Sequence, residues 1–193
     1  MSSVIASCVS SRSETRDRGF TWNPESRAVL IPVQDIYSSE DARSLARKRL
    51  PWMVFDYFDG AAGEGWGEES NRHAIRNIQL RPSVLANVEN RSLSVEVFGW
   101  EMGLPFGISP MGMCNLSTPG ADLMLACLAA RHGIPLGVST AASTSLEKVI
   151  EVAEGNAWFQ LYFSGNQEQS NQLVKRAEQA GYDTLVLTVD VPE

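Results

Sequence analysis

The chain predicts an α/β fold with parallel strands, and three features of residues 105–193 predict it. Short apolar strands begin near residues 105, 134, 157 and 183, so a strand–helix unit recurs about every 25 residues, the length a βαβ crossover needs. Each strand is apolar nearly throughout, the pattern expected when both faces of a sheet are covered. Polar or small residues gather at the C-terminal end of every strand: Ser109, Ser139 with Thr140, Gln160 with Tyr162, and Thr188 with Asp190. An open doubly wound sheet and a closed barrel both satisfy the first two features. The third favours a TIM (β/α)8 barrel, whose sites are built at that face from the ends of several strands. The chain reads as the first four β/α units of such a barrel, preceded by N-terminal helices and a short hairpin. A barrel of this kind is incomplete without a second half, since four strands leave two unpaired edges.

The elements follow in order. Residues 1–37 are rich in Ser and Arg, show no sustained periodicity, and read as a flexible arm. Residues 38–104 form a pre-barrel segment. In it Ser39, Glu40 and Asp41 open a helix whose basic run Arg47-Lys48-Arg49 suits a C-terminal turn. Pro51 starts a second, aromatic helix, where its missing N–H is not needed. The run GAAGEGWGEE follows that helix and not a strand, so it fails the context of a dinucleotide fingerprint. A polar helix is expected over 68–76, and residues 93–103 alternate as a hairpin turning at Gly99. The barrel segment, 105–193, opens with PFGISP (105–110). Strands IPLGVS (134–139), AWFQLYF (157–163) and DTLVLTVD (183–190) follow. Between them lie helices over 120–133, closed by Gly133, over 145–153, with Thr144 and Glu147 as a capping box, and over 166–181, closed by Gly181.

Composition narrows the function classes. The 193 residues are 44% hydrophobic and 20% charged, a globular balance, and the net charge of −7 repels nucleic acid and anionic lipid. Cys8, Cys114 and Cys127 follow no zinc spacing and read as reduced thiols, two of them core filler. His73 and His132 stand without metal-ligand companions, and both read as structural, so no metal is expected. No run approaches the ~20 apolar residues of a membrane span, and no signal peptide is expected, since the first ten residues lack a basic start and an apolar core. A cytoplasmic protein is expected.

Five stretches carry a resemblance: RLPWMVFDYFDGAAGEG, ENRSLSVEVFGWEMGLPFGISPMG, GVSTAAS, WFQLYF and GYDTLVLTVDVPE. In this order and spacing the chain, from about Ser38 to Glu193, resembles the FMN-dependent 2-hydroxy-acid oxidases and dehydrogenases. Members include glycolate oxidase, lactate oxidase and (S)-mandelate dehydrogenase. The resemblance implies an enzyme with FMN as cofactor that oxidises an L-2-hydroxy acid to a 2-keto acid. It places Tyr57 on the substrate carboxylate, a residue that otherwise reads as a core aromatic beside Phe55 and Phe58. It places Pro110, Met111 and Gly112 beside the flavin N5, where many members have Thr or Ala in the last two positions. Ser139 and Gln160 fall on flavin contacts, and Thr188 on the pyrimidine side of the ring. Tyr162, two residues beyond Gln160 and so on the same face of its strand, falls by the substrate oxygen as a catalytic and substrate-binding residue. Neutral donors of these types stabilise the negative charge a reduced flavin gathers without fully charging the pocket.

The resemblance also implies what this half lacks. The family's histidine base, its arginine clamp, a lysine by the flavin N1 and the FMN phosphate site belong to the second half of the barrel. Neither His73 nor His132 occupies the motif of that base. The expected partner is therefore the C-terminal half, as a second chain or cleaved remainder, and the family's habit implies a homo-oligomer, a tetramer of completed barrels. Ala141 stands where glycolate oxidases carry a bulky tryptophan, which leaves room for a larger or aromatic substrate. A non-catalytic half-barrel fragment, an assembly subunit and another FMN barrel enzyme are the alternatives.

Overall fold

The computed structural model describes residues 36–163 and 165–189, so the reading of the arm lies almost wholly outside the described residues. The described chain divides into two compact units, one ending at Ser92 and the other beginning at Leu93.

The first unit is helical. Helix α1 (Ser39–Arg49) starts where the Ser38 hydroxyl accepts the Asp41 N–H at 3.2 Å and donates to the Asp41 carboxylate at 2.8 Å. With the Tyr37 N–H bound to the same carboxylate, the Ser38 hydrogen bond holds Asp41 below the usual carboxyl range. The acidic first turn and basic last turn complement the helix dipole. Helix α2 (Trp52–Asp59) follows, with Pro51 at its N-cap and not inside it. Arg43 binds both oxygens of Asp59, at 2.5 and 2.9 Å, and Arg47 lies 5.9 Å from the Phe55 ring centroid. Helix α3 (Trp66–Arg76) begins two residues earlier than its polar stretch suggested. Gly65 is its N-cap at φ +80°, a conformation that disfavours any side chain. Phe55 is the one buried hydrophobic residue described in this unit.

The second unit opens on the antiparallel hairpin β1 (Val95–Val97) and β2 (Trp100–Met102). Phe98 and Gly99 both take positive φ, 52° and 80°, as a two-residue type I′ turn requires. Its contacts assign the hairpin to the strand unit, although by sequence position it was grouped with the helices. Trp100 Nε1 donates to Asp183 at 2.9 Å, the Phe98 ring lies 5.9 Å from Trp158, and the Gly103 N–H bonds the Gly133 carbonyl. Asp183 lies two residues before β6 and Trp158 is the second residue of β5, so the hairpin sits at the N-terminal end of the sheet.

Strands β3 (Ile108–Met111), β4 (Leu136–Ser139), β5 (Ala157–Tyr162) and β6 (Leu185–Thr188) pair in that order, all parallel. Helices α4 (Ala121–His132), α5 (Leu146–Val152) and α6 (Gln167–Ala180) connect them. A single apolar core joins Leu136, Val138, Phe159 and Leu161 to Ala126, Val149, Ile150 and Ala177 on the helices. Gly133 and Gly181 close α4 and α6 in the left-handed conformation, as their positions predicted.

Two expectations change. The covering of both faces holds for β4, which is buried throughout, and for most of β5. β3 and β6 are the sheet edges: on β6 Leu185 and Leu187 are half exposed while Val186 and Thr188 are partly covered. The capping box on α5 does not form. Ser145 is the N-cap, without a side-chain cap bond, and the Glu147 carboxylate instead takes both prongs of Arg176 on α6, at 2.6 and 2.9 Å. Cys114 is a buried free thiol, as expected, but Cys127, also buried, is disulfide-bonded, so the reduced-thiol reading holds at Cys114 and fails at Cys127.

Candidate functional site

Partners in a parallel ladder point their side chains to the same face. Ser139 lies beside Gln160, and Tyr162 beside Thr188, on the face opposite the helix-packed Val138, Phe159 and Leu161. The polar strand ends are thus brought together by register.

Gln160 is the centre of the group. It is 2% exposed, and its Nε2 donates to Thr188 Oγ1 at 2.6 Å. Its Oε1 is buried with no hydrogen-bond partner among the described residues. An unpaired buried acceptor costs about 1–3 kcal/mol, so this atom is a place where a ligand donor would be stabilising. Thr188 Oγ1 accepts from Gln160, which leaves its own proton to donate. Ser139, also buried, accepts from the Ala141 N–H at 3.1 Å and is left in the same state. The face therefore offers one acceptor and two hydroxyl donors within three neighbouring strands. Tyr162 stands at the end of β5, 41% exposed.

The Pro110–Gly112 segment lies at the end of β3. The β3–β4 register shifts between Ile108 and Met111, because Pro110 has no N–H for the ladder. Gly137 allows the strands to approach there: a Cβ on it would lie 2.6 Å from the Pro110 Cδ and 2.7 Å from its nitrogen. Beyond the strand, Met113 takes a left-handed φ of 53° and its N–H bonds the Ala141 carbonyl at 2.9 Å, tying this loop to the one after β4. Tyr57 belongs to the helical unit. It is half exposed, with its ring edge-on to Phe58 at 5.1 Å, and so is not the core aromatic its neighbours suggested.

Sequence reasoning missed two features. Asp122 is buried in the first turn of α4 with one carboxylate oxygen unpartnered, beside a small cavity also lined by Cys114 and Ser139. Burial, and then the Asp122 charge, push the Cys114 thiol up to about 11, so it is protonated at neutral pH. The signal was helical spacing: Asp122 precedes the buried Ala126, Ala129 and Ala130 on one face. The other is Thr140, noted only as a polar strand end. Its hydroxyl donates to the Gln160 carbonyl at 2.7 Å and accepts the Tyr162 N–H at 3.2 Å. Among the described residues no group of His, Cys, Asp and Glu could hold a metal ion, and no helix is long and apolar enough to cross a membrane.

The family model for FMN-dependent dehydrogenases matches residues 46–193. The chain belongs to this family. Similar curated proteins include (S)-mandelate dehydrogenase of Pseudomonas putida, 40% identical over 82% of this chain and 40% of its own length. Another is the glycolate oxidase of Spinacia oleracea, 32% identical over 82% of this chain and 43% of its own. Among solved structures, an oxidised active mutant of (S)-mandelate dehydrogenase superposes with a TM-score of 0.75 at 40% identity, covering 81% of this chain and 44% of that one. A mandelate oxidase gives 0.76 at 33% identity, covering 81% and 46%. The chain thus spans about two-fifths of the length of the curated relatives it matches. The four parallel strands are strands of the family's (β/α)8 barrel, and FMN is the cofactor by which the family is described.

Proposed function

We propose that residues 105–193 form the flavin-ring half of an FMN-binding barrel, in an enzyme that oxidises an L-2-hydroxy acid to a 2-keto acid. The observation that carries this reading is the buried Gln160–Thr188 pair with its unpaired amide oxygen, at the end of the sheet where such barrels build their sites. The group fits: an isoalloxazine edge presents an N–H donor beside carbonyl acceptors, the complement of Gln160 Oε1 and the Thr188 and Ser139 hydroxyls. Pro110, Met111 and Gly112 would lie along the reactive edge of the ring. When bound, FMN supplies the two-electron acceptor.

On this reading Tyr162 is the chain's catalytic residue. Its phenol donates to the substrate oxygen as charge develops there, while its ring keeps water out. Tyr57 donates to the substrate carboxylate. Ala141, exposed at the turn after β4, leaves room for a substrate with a large or aromatic side chain. The similarity to a mandelate dehydrogenase and a mandelate oxidase supports that choice. The proton acceptor, the main carboxylate clamp and the phosphate site come from a C-terminal half of the barrel, and completed barrels associate as a tetramer. We place the protein in the cytoplasm.

The test is to isolate the chain with whatever accompanies it and record an absorption spectrum, intact masses and the native mass. A yellow complex, bleached anaerobically by mandelate faster than by glycolate, is the expected result. A colourless chain that neither retains FMN nor quenches its fluorescence on titration would sink the reading.

A further inference from the structure

We propose that Thr140 is a positioning residue for the flavin-edge group, holding Gln160 and Tyr162 in place through its hydroxyl. The proposal rests on the functional reading above and goes beyond it, since Thr140 is not among the residues assigned to the flavin or the substrate.

The argument begins with a mismatch of strand lengths. β4 stops at Ser139, whereas β5 runs on to Tyr162, and the last ladder pair between them is Ser139 with Gln160. A parallel ladder continued by one step would have the Thr140 N–H donate to the Gln160 carbonyl and the Thr140 carbonyl accept the Tyr162 N–H. The first bond is made, at 3.0 Å. The chain then turns away, with the Ala141 N–H held by Ser139 Oγ and the Ala142 N–H by the Ser139 carbonyl. The Thr140 hydroxyl takes over the second bond, accepting the Tyr162 N–H at 3.2 Å while donating to the Gln160 carbonyl at 2.7 Å. One side chain thereby completes the ladder that its own backbone abandons.

The consequence falls on the site. The two backbone groups bound by Thr140 Oγ1 belong to the residues whose side chains form the candidate site on β5. On the opposite edge of β5, Tyr162 pairs with Thr188, the partner of the Gln160 amide. The end of β5 is thus pinned from both sides, by a side chain in the turn just after β4 and by the ladder on β6. Without the hydroxyl, the Tyr162 N–H loses its acceptor and the last turn of the strand is free to fray. A buried amide set at the flavin edge then loses the fixed geometry that makes it an effective donor or acceptor.

The experiment compares the full chain with Thr140→Val, which keeps shape and removes the hydroxyl, and Thr140→Ser, which keeps the hydroxyl. Two quantities are read: exchange of the Tyr162 amide by NMR, and the affinity for FMN by quenching of its fluorescence. Thr140→Val is expected to speed Tyr162 exchange and weaken FMN binding, each about tenfold, the equivalent of one hydrogen bond. Thr140→Ser is expected to match the parent in both. If Thr140→Val does not fold, Thr140→Ala removes the same hydroxyl without a methyl to seat in the turn and carries the same comparison. Unchanged Tyr162 exchange in the folded variant overturns the proposal, and so does faster exchange with FMN affinity intact. A parent chain that binds no FMN would count against the functional reading, while the exchange arm would still decide whether Thr140 holds the strand end.

Discussion

Gln160 shows how one buried side chain links fold and chemistry. Its amide nitrogen is satisfied within the protein and its oxygen is not, so the cost of burying the oxygen is recovered when a donor from a ligand or a bound water reaches it. Gln160→Leu is therefore expected to leave the fold intact or slightly more stable while weakening FMN binding by about tenfold, read by fluorescence titration beside a urea melt. Gly137 works in the opposite sense, as a fold residue that shapes the site. The Cβ of Gly137→Ala would meet the Pro110 ring at 2.6 Å, and Pro110 is ring as well as backbone, so the strand must move. A loss of about 1–3 kcal/mol in urea unfolding is expected. From the sequence, Gln160 and Tyr162 were legible as a same-face pair because a strand has a period of two. The role of Thr140 was not, because it depends on β4 and β5 ending at different levels, which no local pattern encodes.

At the scale of elements, α5 and α6 are joined by Arg176 and Glu147, and Tyr182 OH donates to the Leu146 carbonyl at 2.8 Å just after α6. The Arg176 hydrogen bonds hold the Glu147 carboxyl below its ordinary value. A depressed acid stabilises the fold above the unfolded pKa, and that contribution is lost as pH falls through the folded one. Glu147→Gln is thus expected to flatten the fall in melting temperature below the ordinary glutamate range, near pH ~4.3, and to do nothing at pH 8 beyond the loss of a salt-sensitive pair. Tyr182 is buried with its hydroxyl bonded, and burial raises its pKa. Tyr182→Phe leaves the Leu146 carbonyl without that donor, and a loss of about 1–2 kcal/mol is expected in the same urea measurement. The helix and strand pattern around these contacts was readable from spacing, glycine stops and apolar runs. The capping box over Thr144 and Glu147 failed because a tertiary partner, Arg176, claims the carboxylate that the local motif would have used.

Across the whole molecule stability is unevenly distributed. The strand unit contains a continuous core from Ala126 to Tyr182, whereas among its described residues the helical unit buries only Phe55 and leaves Trp52, Trp66, Ile75 and Ile78 largely exposed. Protection against hydrogen exchange follows buried contact. In the isolated chain, amides of α1–α3 are expected to exchange well before those of β4 and β5, and mass-resolved exchange checks it. Equal protection of the two units would contradict this distribution. The edges of the sheet carry the same lesson: apolar runs in β3 and β6 predicted full cover, but cover depends on neighbours, and the leucines of β6 remain half exposed.

The sequence by itself determined the four strands and the three helices between them, their parallel order, the polar face at their C-terminal ends, and, through its motifs, the family. Those properties are local or periodic, set by where apolar residues, glycines and caps recur along the chain. Tertiary structure alone decided that Gln160 meets Thr188, that Asp122 is buried beside Cys114, that the hairpin joins the strand unit, and that Thr140 completes the end of β5. Each of those rests on register between segments far apart in the chain, and register is fixed only when the core packs.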